Sequence, residues 1–365
     1  MFLLNILVFL IGLAIVISTI LSAVRAFVVP RSTQDRLARV VFSVVRACFQ
    51  VANRFARTYN ARDNIMAFYA PISLLCLVPV WLALIALGYT GMFWTTGIES
   101  WFDAFKTSGS ALFTLGFAPV EGFARVGLSF TEAMLGLILV ALLIAYLPTM
   151  YSAFQRRELA VTLLQVRAGK PPSAVEMIER FHRIHGFERL GEMWETWERW
   201  FADIEESHTS LPALNFFRSP TSDRSWVTAA GAILDGAALS RSTLDLPPDP
   251  RADLCIRAGF LALRRVADFF DFPYDPNPKP TDTISITRAE FDAVCDRLAS
   301  KGIPLKPDRD QAWRDFSGWR VNYDTVLLAL CILTMAPPAP WSSDHAPENL
   351  RTLFRERKER NGIAK

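Results

Sequence analysis

Histidine is scarce in this chain, and paired cysteine is absent. Only four histidines occur in 365 residues, at 182, 185, 208 and 345. None stands in an H-E-x-x-H order and no G-x-S-x-G elbow is present, which removes the common zinc-hydrolase and serine-hydrolase signatures. The five cysteines, at 48, 76, 255, 295 and 331, are odd in number, widely spaced and without a C-x-x-C pair. A disulfide scaffold or cysteine-rich zinc site is thereby excluded, and reduced, partly buried thiols are expected. Net charge is +3, too close to balance to ask for a nucleic-acid partner. No apolar run carries repeated arginines, so voltage sensing is excluded, and no internal repeat of the transporter kind is found. His182 and His185 lie three apart in FHRIHGF, with Glu205, Glu206 and His208 further on. A metal site there is conceivable, but packing or surface histidines are the simpler expectation. No catalytic residue and no cofactor are expected.

What the chain has is long apolar stretches, concentrated in residues 1–150, followed by a charged remainder. The first, residues 1–27, has no Lys or Arg before Arg25. A cleaved signal would place its basic residues ahead of the apolar run, so a retained transmembrane helix is expected. Residues 28–65 follow as a basic linker: from Arg25 to Arg62 there are eight arginines and one acid, Asp35. Arg36, Arg39, Arg46 and Arg54 interrupt apolar runs such as Val40 to Phe42, the pattern of an interfacial helix beside anionic lipid. A second span is expected at 66–93, with Pro71 and Pro79 inside it and Tyr69, Trp81, Tyr89, Phe93 and Trp94 as candidates for the interfacial belts. The third, 128–150, is followed by Arg156 and Arg157. Loop 94–127 has only Lys106 and Arg125 as basic residues. The arginine bias therefore sets the N-terminus outside and the tail in the cytoplasm, in a plasma (inner) membrane.

The loop between the second and third spans is too apolar for an idle turn. Residues 100–113 form a short amphipathic stretch with aromatics at 101, 102, 105 and 113, too short to span. Thr114-Leu115-Gly116-Phe117-Ala118 follows, and Pro119 stops any helix. Span, short re-entrant helix, extended turn and span is the layout of a pore loop. Backbone carbonyls can replace a cation's lost hydration without carrying net charge. Such a filter needs a threonine hydroxyl at its inner end and glycine where the dihedrals are unusual, with bulky side chains packed behind. Thr114, Gly116, Leu115 and Phe117 meet those needs, and the short helix would aim its negative end at a cation.

This segment resembles the pore-loop signature of tetrameric potassium channels, Thr-Val-Gly-Tyr-Gly. The resemblance covers about residues 66–152. It implies an outer helix at 66–93, a pore helix at 100–113, a filter at 114–118 and an inner helix at 128–150. It further implies a homotetramer passing a monovalent cation, potassium by the family's habit, along backbone carbonyls of Thr114, Leu115, Gly116, Phe117 and Ala118. Ser108 and Ser110 resemble the family's hydroxyl residues ahead of the filter. Glu132 is a candidate for filter support or a surface anchor, and Gly136 and Pro148 for gating or ordinary packing. The pattern departs from the family at Phe113, Ala118 and Pro119. Alanine at 118 is costly if that position needs positive φ, on the order of 1 kcal/mol per subunit.

The remainder is expected to be a helical cytoplasmic domain at 153–345 with a charged tail at 346–365. Helices are expected near 226–240, 251–270, 288–299 and 322–335, separated by proline-rich breaks. Trp194, Trp197 and Trp200 share one helical face, as a packed core, a subunit contact or a ligand-binding patch. The fold expected is thus an all-α membrane protein with three transmembrane helices, a re-entrant pore helix and filter-like loop, and a mainly helical cytoplasmic domain. Its expected partners are membrane lipid, its own copies and an unidentified cytoplasmic ligand or protein. The competing readings are a channel of altered selectivity and a non-conducting membrane-anchored signalling or scaffold protein.

Overall fold

A computed structural model describes residues 2–29 and 35–360. Residues 30–34 of the expected linker and 361–365 of the expected tail lie outside the described residues. Among the described residues the chain is helical throughout, and a single isolated bridge between Leu244 and Leu305 is its one β-pairing. Three helical stretches are long and apolar enough to cross a membrane: Phe2–Phe27, Tyr59–Thr95 and Phe123–Ala168. Contacts divide the chain into two compact units. One is Met1–Arg57 with Ile65–Ser152, and the other is Thr58–Asn64 with Ala153–Lys365.

The first unit contains α1 (Phe2–Phe27), α2 (Arg36–Asn53), most of α4 (Tyr69–Thr95), the short α5 (Trp101–Leu112) and the first part of α6 (Phe123–Ala168); α3 (Tyr59–Ala67) leads into α4. Helix α1 packs on α4 at backbone distance. A Cβ placed on Gly12 would fall 2.5 Å from the Gly88 carbonyl oxygen, and one on Gly88 2.7 Å from that of Gly12. In an apolar solvent helices gain nothing from hydrophobic burial, so such small-residue crossings, which maximise van der Waals contact, are what join spans. Further along the same helix pair Trp81 is fully buried, its ring 5.1 Å from that of Phe27, and its indole N–H donates to Ser22 Oγ at 3.0 Å. Ser22 donates in turn to Asp35 at 2.6 Å. Asp35 is the N-cap of α2, accepting from the amide of Ala38 at 2.8 Å. The start of α2 is therefore fastened to the bundle through a polar chain.

Two boundaries differ from the sequence expectation. Helix α6, expected as a span over 128–150, does not end near residue 150. It runs on through Pro148 to Ala168, because charge ends an apolar span but not a helix, and the first strong breaker is Gly169 at φ +83°. The linker 28–65 is not one element either. Its last part, Thr58–Asn64, packs with the tail.

The second unit is built from α7 (Ala174–Arg183), α8 (Leu190–Ser210), α9 (Trp226–Ser242), α10 (Pro250–Phe269), α11 (Arg288–Ser300), α12 (Arg309–Arg320), α13 (Asp324–Thr334) and α14 (Leu350–Arg360). Four of these coincide closely with the expected helices; α12 was not anticipated. Helix α9 is buried along nearly its whole length, as its alanine- and glycine-rich sequence with charge only at Asp235 and Arg241 allows. Around it pack Met177, Trp194, Phe201, Leu263 and Leu327. Trp194, Trp197 and Trp200 are all buried in this core, so the packing account of that face holds within one chain. Deep in the same unit Arg320, wholly inaccessible, pairs with Asp235 and with Asp324, the latter at 3.0 Å.

Candidate functional site

Apart from Pro148, the residues singled out in the sequence lie on three consecutive pieces: α5, the loop 113–122 and the first half of α6. Ser100 caps α5, accepting from the amide of Phe102 at 3.2 Å. The helix then turns one face inward, burying Ala104, Thr107, Ser108, Ala111 and Leu112, while Phe102 and Phe105 remain exposed. Ser108 is its junction with both neighbours. Its Oγ lies 3.1 Å from the Ala86 carbonyl oxygen on α4 and 2.5 Å from Glu132 Oε1 on α6. The Ser108 hydroxyl donates to one of these oxygens or shares its proton between them. Glu132 is 0% exposed. One turn further along α6, Gly136 receives the end of α5: a Cβ there would stand 2.6 Å from the Leu112 carbonyl oxygen. Glu132 and Gly136 thus form one helical face that holds α5.

The end of α5 is closed by its own loop. The amide of Leu115 donates to the Ser110 carbonyl at 2.8 Å and that of Thr114 to the Ala111 carbonyl at 3.0 Å. This is a Schellman cap, which requires a left-handed residue directly after the helix's last cap position. Thr114 fills that place at φ +56°. A β-branched residue is a poor choice there on steric grounds. Gly116 has φ +72°, whereas Leu115 and Phe117 do not have positive φ. The sign of φ therefore alternates from 113 to 117. Leu115 and Phe117 point outward, 62% and 58% exposed.

Ala118 is not in the left-handed region, so the strain expected for an alanine there does not arise. Its amide donates instead to Ser110 Oγ at 3.2 Å, tying the loop back to α5. Ser110 thus touches the loop 114–118 directly, whereas Glu132 and Gly136 meet α5 itself, at Ser108 and at the Leu112 carbonyl. Pro148 lies away from both, twelve residues beyond Gly136, roughly 18 Å along α6. Sequence reasoning passed over Ala86 and Leu112, whose contribution is a backbone oxygen that no residue type announces.

The histidines do not converge. His182 stacks against Phe187, with ring centroids 5.5 Å apart, and His185 occupies the left-handed position after α7. His208 is buried beside Arg157, its Nε2 at 3.3 Å from the guanidinium. Burial first, and the Arg157 charge second, hold its imidazole well below the usual histidine range. Among the described residues no group of three or more His, Cys, Asp or Glu side chains is placed to hold a metal. All five cysteines are free, and burial pushes the Cys295 thiol up to about 11.

No family model, no curated protein and no solved structure matches this chain.

Proposed function

We propose that residues 66–152 form the pore module of a homotetrameric cation channel. In this reading α4 is the outer helix, α5 the pore helix, 114–118 the filter and α6 the inner helix. The observation that carries it is the Ser108 junction. A twelve-residue helix, too short to cross, is held between two spanning helices by buried polar contacts to both. Unpaired polar groups are costly in a membrane, so a helix with Thr107, Ser108 and Ser110 inward belongs where neighbours complete it.

The loop after α5 adds a second support. Alternating φ signs let successive carbonyls face one side, which is what a cation stripped of water needs. The exposed Leu115 and Phe117 would then pack against the other copies. The arginine-rich stretch between α1 and α4 puts that side in the cytoplasm, with the N-terminus outside and the tail inside. Phe113, Ala118 and Pro119 depart from the potassium-selective pattern, so the permeant ion is a monovalent cation whose selectivity is to be measured.

The test is flux through purified full-length protein in liposomes under opposed potassium and sodium gradients, with empty liposomes and Gly116→Ala as controls. Current that reverses near the potassium potential and is lost in Gly116→Ala supports a selective filter. Current indifferent to the cation keeps the channel and removes potassium selectivity. Absence of flux under voltage, stretch and pH changes favours a non-conducting signalling or scaffold protein.

A further inference from the structure

Two stretches of the second unit run directly on into spanning helices. Residues 58–64 precede the rest of α3 and then α4, and residues 153–168 are the last turns of α6. Both are fastened to the same dipeptide, Phe217-Arg218.

Arg218 sits over the end of α13. Its Nη2 donates to the Thr334 carbonyl at 2.7 Å and its Nη1 to that of Met335 at 3.3 Å, where a helix terminus favours a cation. The same Nη1 pairs with Asp63, and the two side chains are only 11% and 8% exposed. Tyr59 Oη donates to the Met335 carbonyl at 3.0 Å, and Ser222 Oγ donates to Asn60 Oδ1 at 3.0 Å. On the other side, Arg157 of α6 is wholly buried. Its Nη2 donates to the Phe217 carbonyl at 2.7 Å and its Nη1 to that of Leu214 at 2.9 Å. The Phe217 carbonyl and the Arg218 amide nitrogen belong to one peptide plane, which is rigid.

We propose that Phe217-Arg218 is a coupling joint: a displacement of the α6 extension at Arg157 is passed through this peptide to Asp63 and the segment ahead of α4, and the reverse. The physical basis is that buried charge contacts do not slip by degrees. Leaving Asp63 without Arg218 strands a buried charge; Arg157 keeps its countercharge, Glu158 of the same helix at 2.8 Å, but without the Phe217 and Leu214 carbonyls its buried fork is left with unpaired donors, so the joint moves as a whole or opens altogether. The neutral His208 beside Arg157 keeps a second cation out of the joint. As a means of conveying the tail's state to a pore, the joint rests on the channel reading. As a coupling within the second unit, it does not.

The experiment is hydrogen exchange by mass spectrometry on the full-length protein, with flux measured in parallel. Asp63→Asn keeps the shape of the side chain and removes its charge. It is expected to raise exchange on the order of tenfold both at residues 59–67 and at 153–160. Arg157→Lys, which keeps the charge but not the fork, is expected to act at both stretches too. Tyr59→Phe offers a milder probe should Arg157→Lys fail to fold. Asp253→Asn, which breaks the partly exposed pair with Arg241 in the same unit, should change neither stretch. Effects of Asp63→Asn confined to 59–67, and of Arg157→Lys confined to 153–160, would overturn the joint. Coupled exchange with unchanged flux would overturn its part in conduction alone. Absence of flux in the unmodified protein would count against the channel reading and leave the exchange result to decide the joint.

Discussion

Arg320 offers the clearest quantitative test of the second unit. Its guanidinium serves Asp235 through Nη1, Asp324 through Nε at 3.0 Å, and the Trp341 carbonyl through Nη2 at 2.5 Å. All three charged side chains are buried. Replacing Arg320 with Met preserves much of the volume and removes the cation that two carboxylates share. Tyr323 still donates to Asp235 at 2.8 Å, and the amide of Ser285 still donates to Asp324 at 3.0 Å. Burial above all, and then the Asp235 charge, push the Tyr323 phenol far up, so it stays a donor. These bonds soften the loss but supply no countercharge. Breaking a buried pair from one side costs about 3–5 kcal/mol. For a unit of roughly 200 residues, about 2–4 °C per kcal/mol gives a fall in Tm of about 10 °C.

Tryptophan fluorescence during thermal unfolding reads this directly, because Trp194, Trp197, Trp200 and Trp226 lie in the same core. The variant's deficit should also depend on pH. Burial already holds the Asp235 carboxyl above the usual carboxylate range, and losing the Arg320 charge should raise it further. Its stabilising, protonated form is present at low pH and lost as pH rises through the folded pKa. The deficit should therefore be smaller at about pH 5 than at about pH 8. A loss under about 1 kcal/mol, or an equal loss at both pH values, would refute the assignment of Arg320 as the counterion.

Glu132→Gln should retain the bond to Ser108 through its amide and keep the thermal stability of the membrane unit, whereas Glu132→Ala should lose about 2–3 kcal/mol. Gly88→Val drives a side chain into the Gly12 carbonyl, and α1 should separate from α4 at a cost of about 1–3 kcal/mol, read by cysteine cross-linking between the two helices. His208 is neutral when folded; as pH falls below the ordinary value of 6.5, the unfolded chain takes up a proton that the folded chain refuses. Stability should then fall by up to about 1.4 kcal/mol per pH unit in that range, a slope that His208→Phe removes. Thr114→Gly relieves a β-branched residue at positive φ and should stabilise the α5 cap by about 1 kcal/mol in thermal unfolding, unless the hydroxyl is itself required for assembly.

The spans were legible because an uncharged apolar run of twenty or so residues has few alternatives. Helix α5 was legible to within a residue at each end, since Ser100 and the break before Pro119 punctuate it. The α9, α10, α11 and α13 helices were marked by prolines and capping residues: Thr287 with Glu290, for example, forms a complete capping box. Helix α12 was not legible. Its sequence RDQAWRDFSGWR is dominated by charge, and it folds because Ala312, Phe316 and Arg320 reach a core formed by distant segments. The attachment of 58–64 to the tail was hidden for a similar reason. It depends on Arg218, 155 residues away from Asp63. Likewise the contact between Gly136 and Leu112 is made by a carbonyl, which composition cannot flag.

The loop after α5 shows how local and global demands meet at one position. A Schellman cap favours glycine at residue 114, and the chain supplies threonine. Glycine does appear two residues later, at 116, where φ is also positive. The helix end alone therefore does not account for the choice at 114. A residue kept in an unfavourable region is held there by its surroundings, and here these are the amide bonds of Thr114 and Leu115 and the tie from Ala118 to Ser110. What threonine adds over glycine is a hydroxyl, and Oγ1 reaches only its neighbour's carbonyl, Phe113, at 2.8 Å within one copy. That hydroxyl has acceptor capacity left over. A cation shared among several copies would use it, and that is the physical sense in which the strain at Thr114 argues for the channel reading over an idle loop.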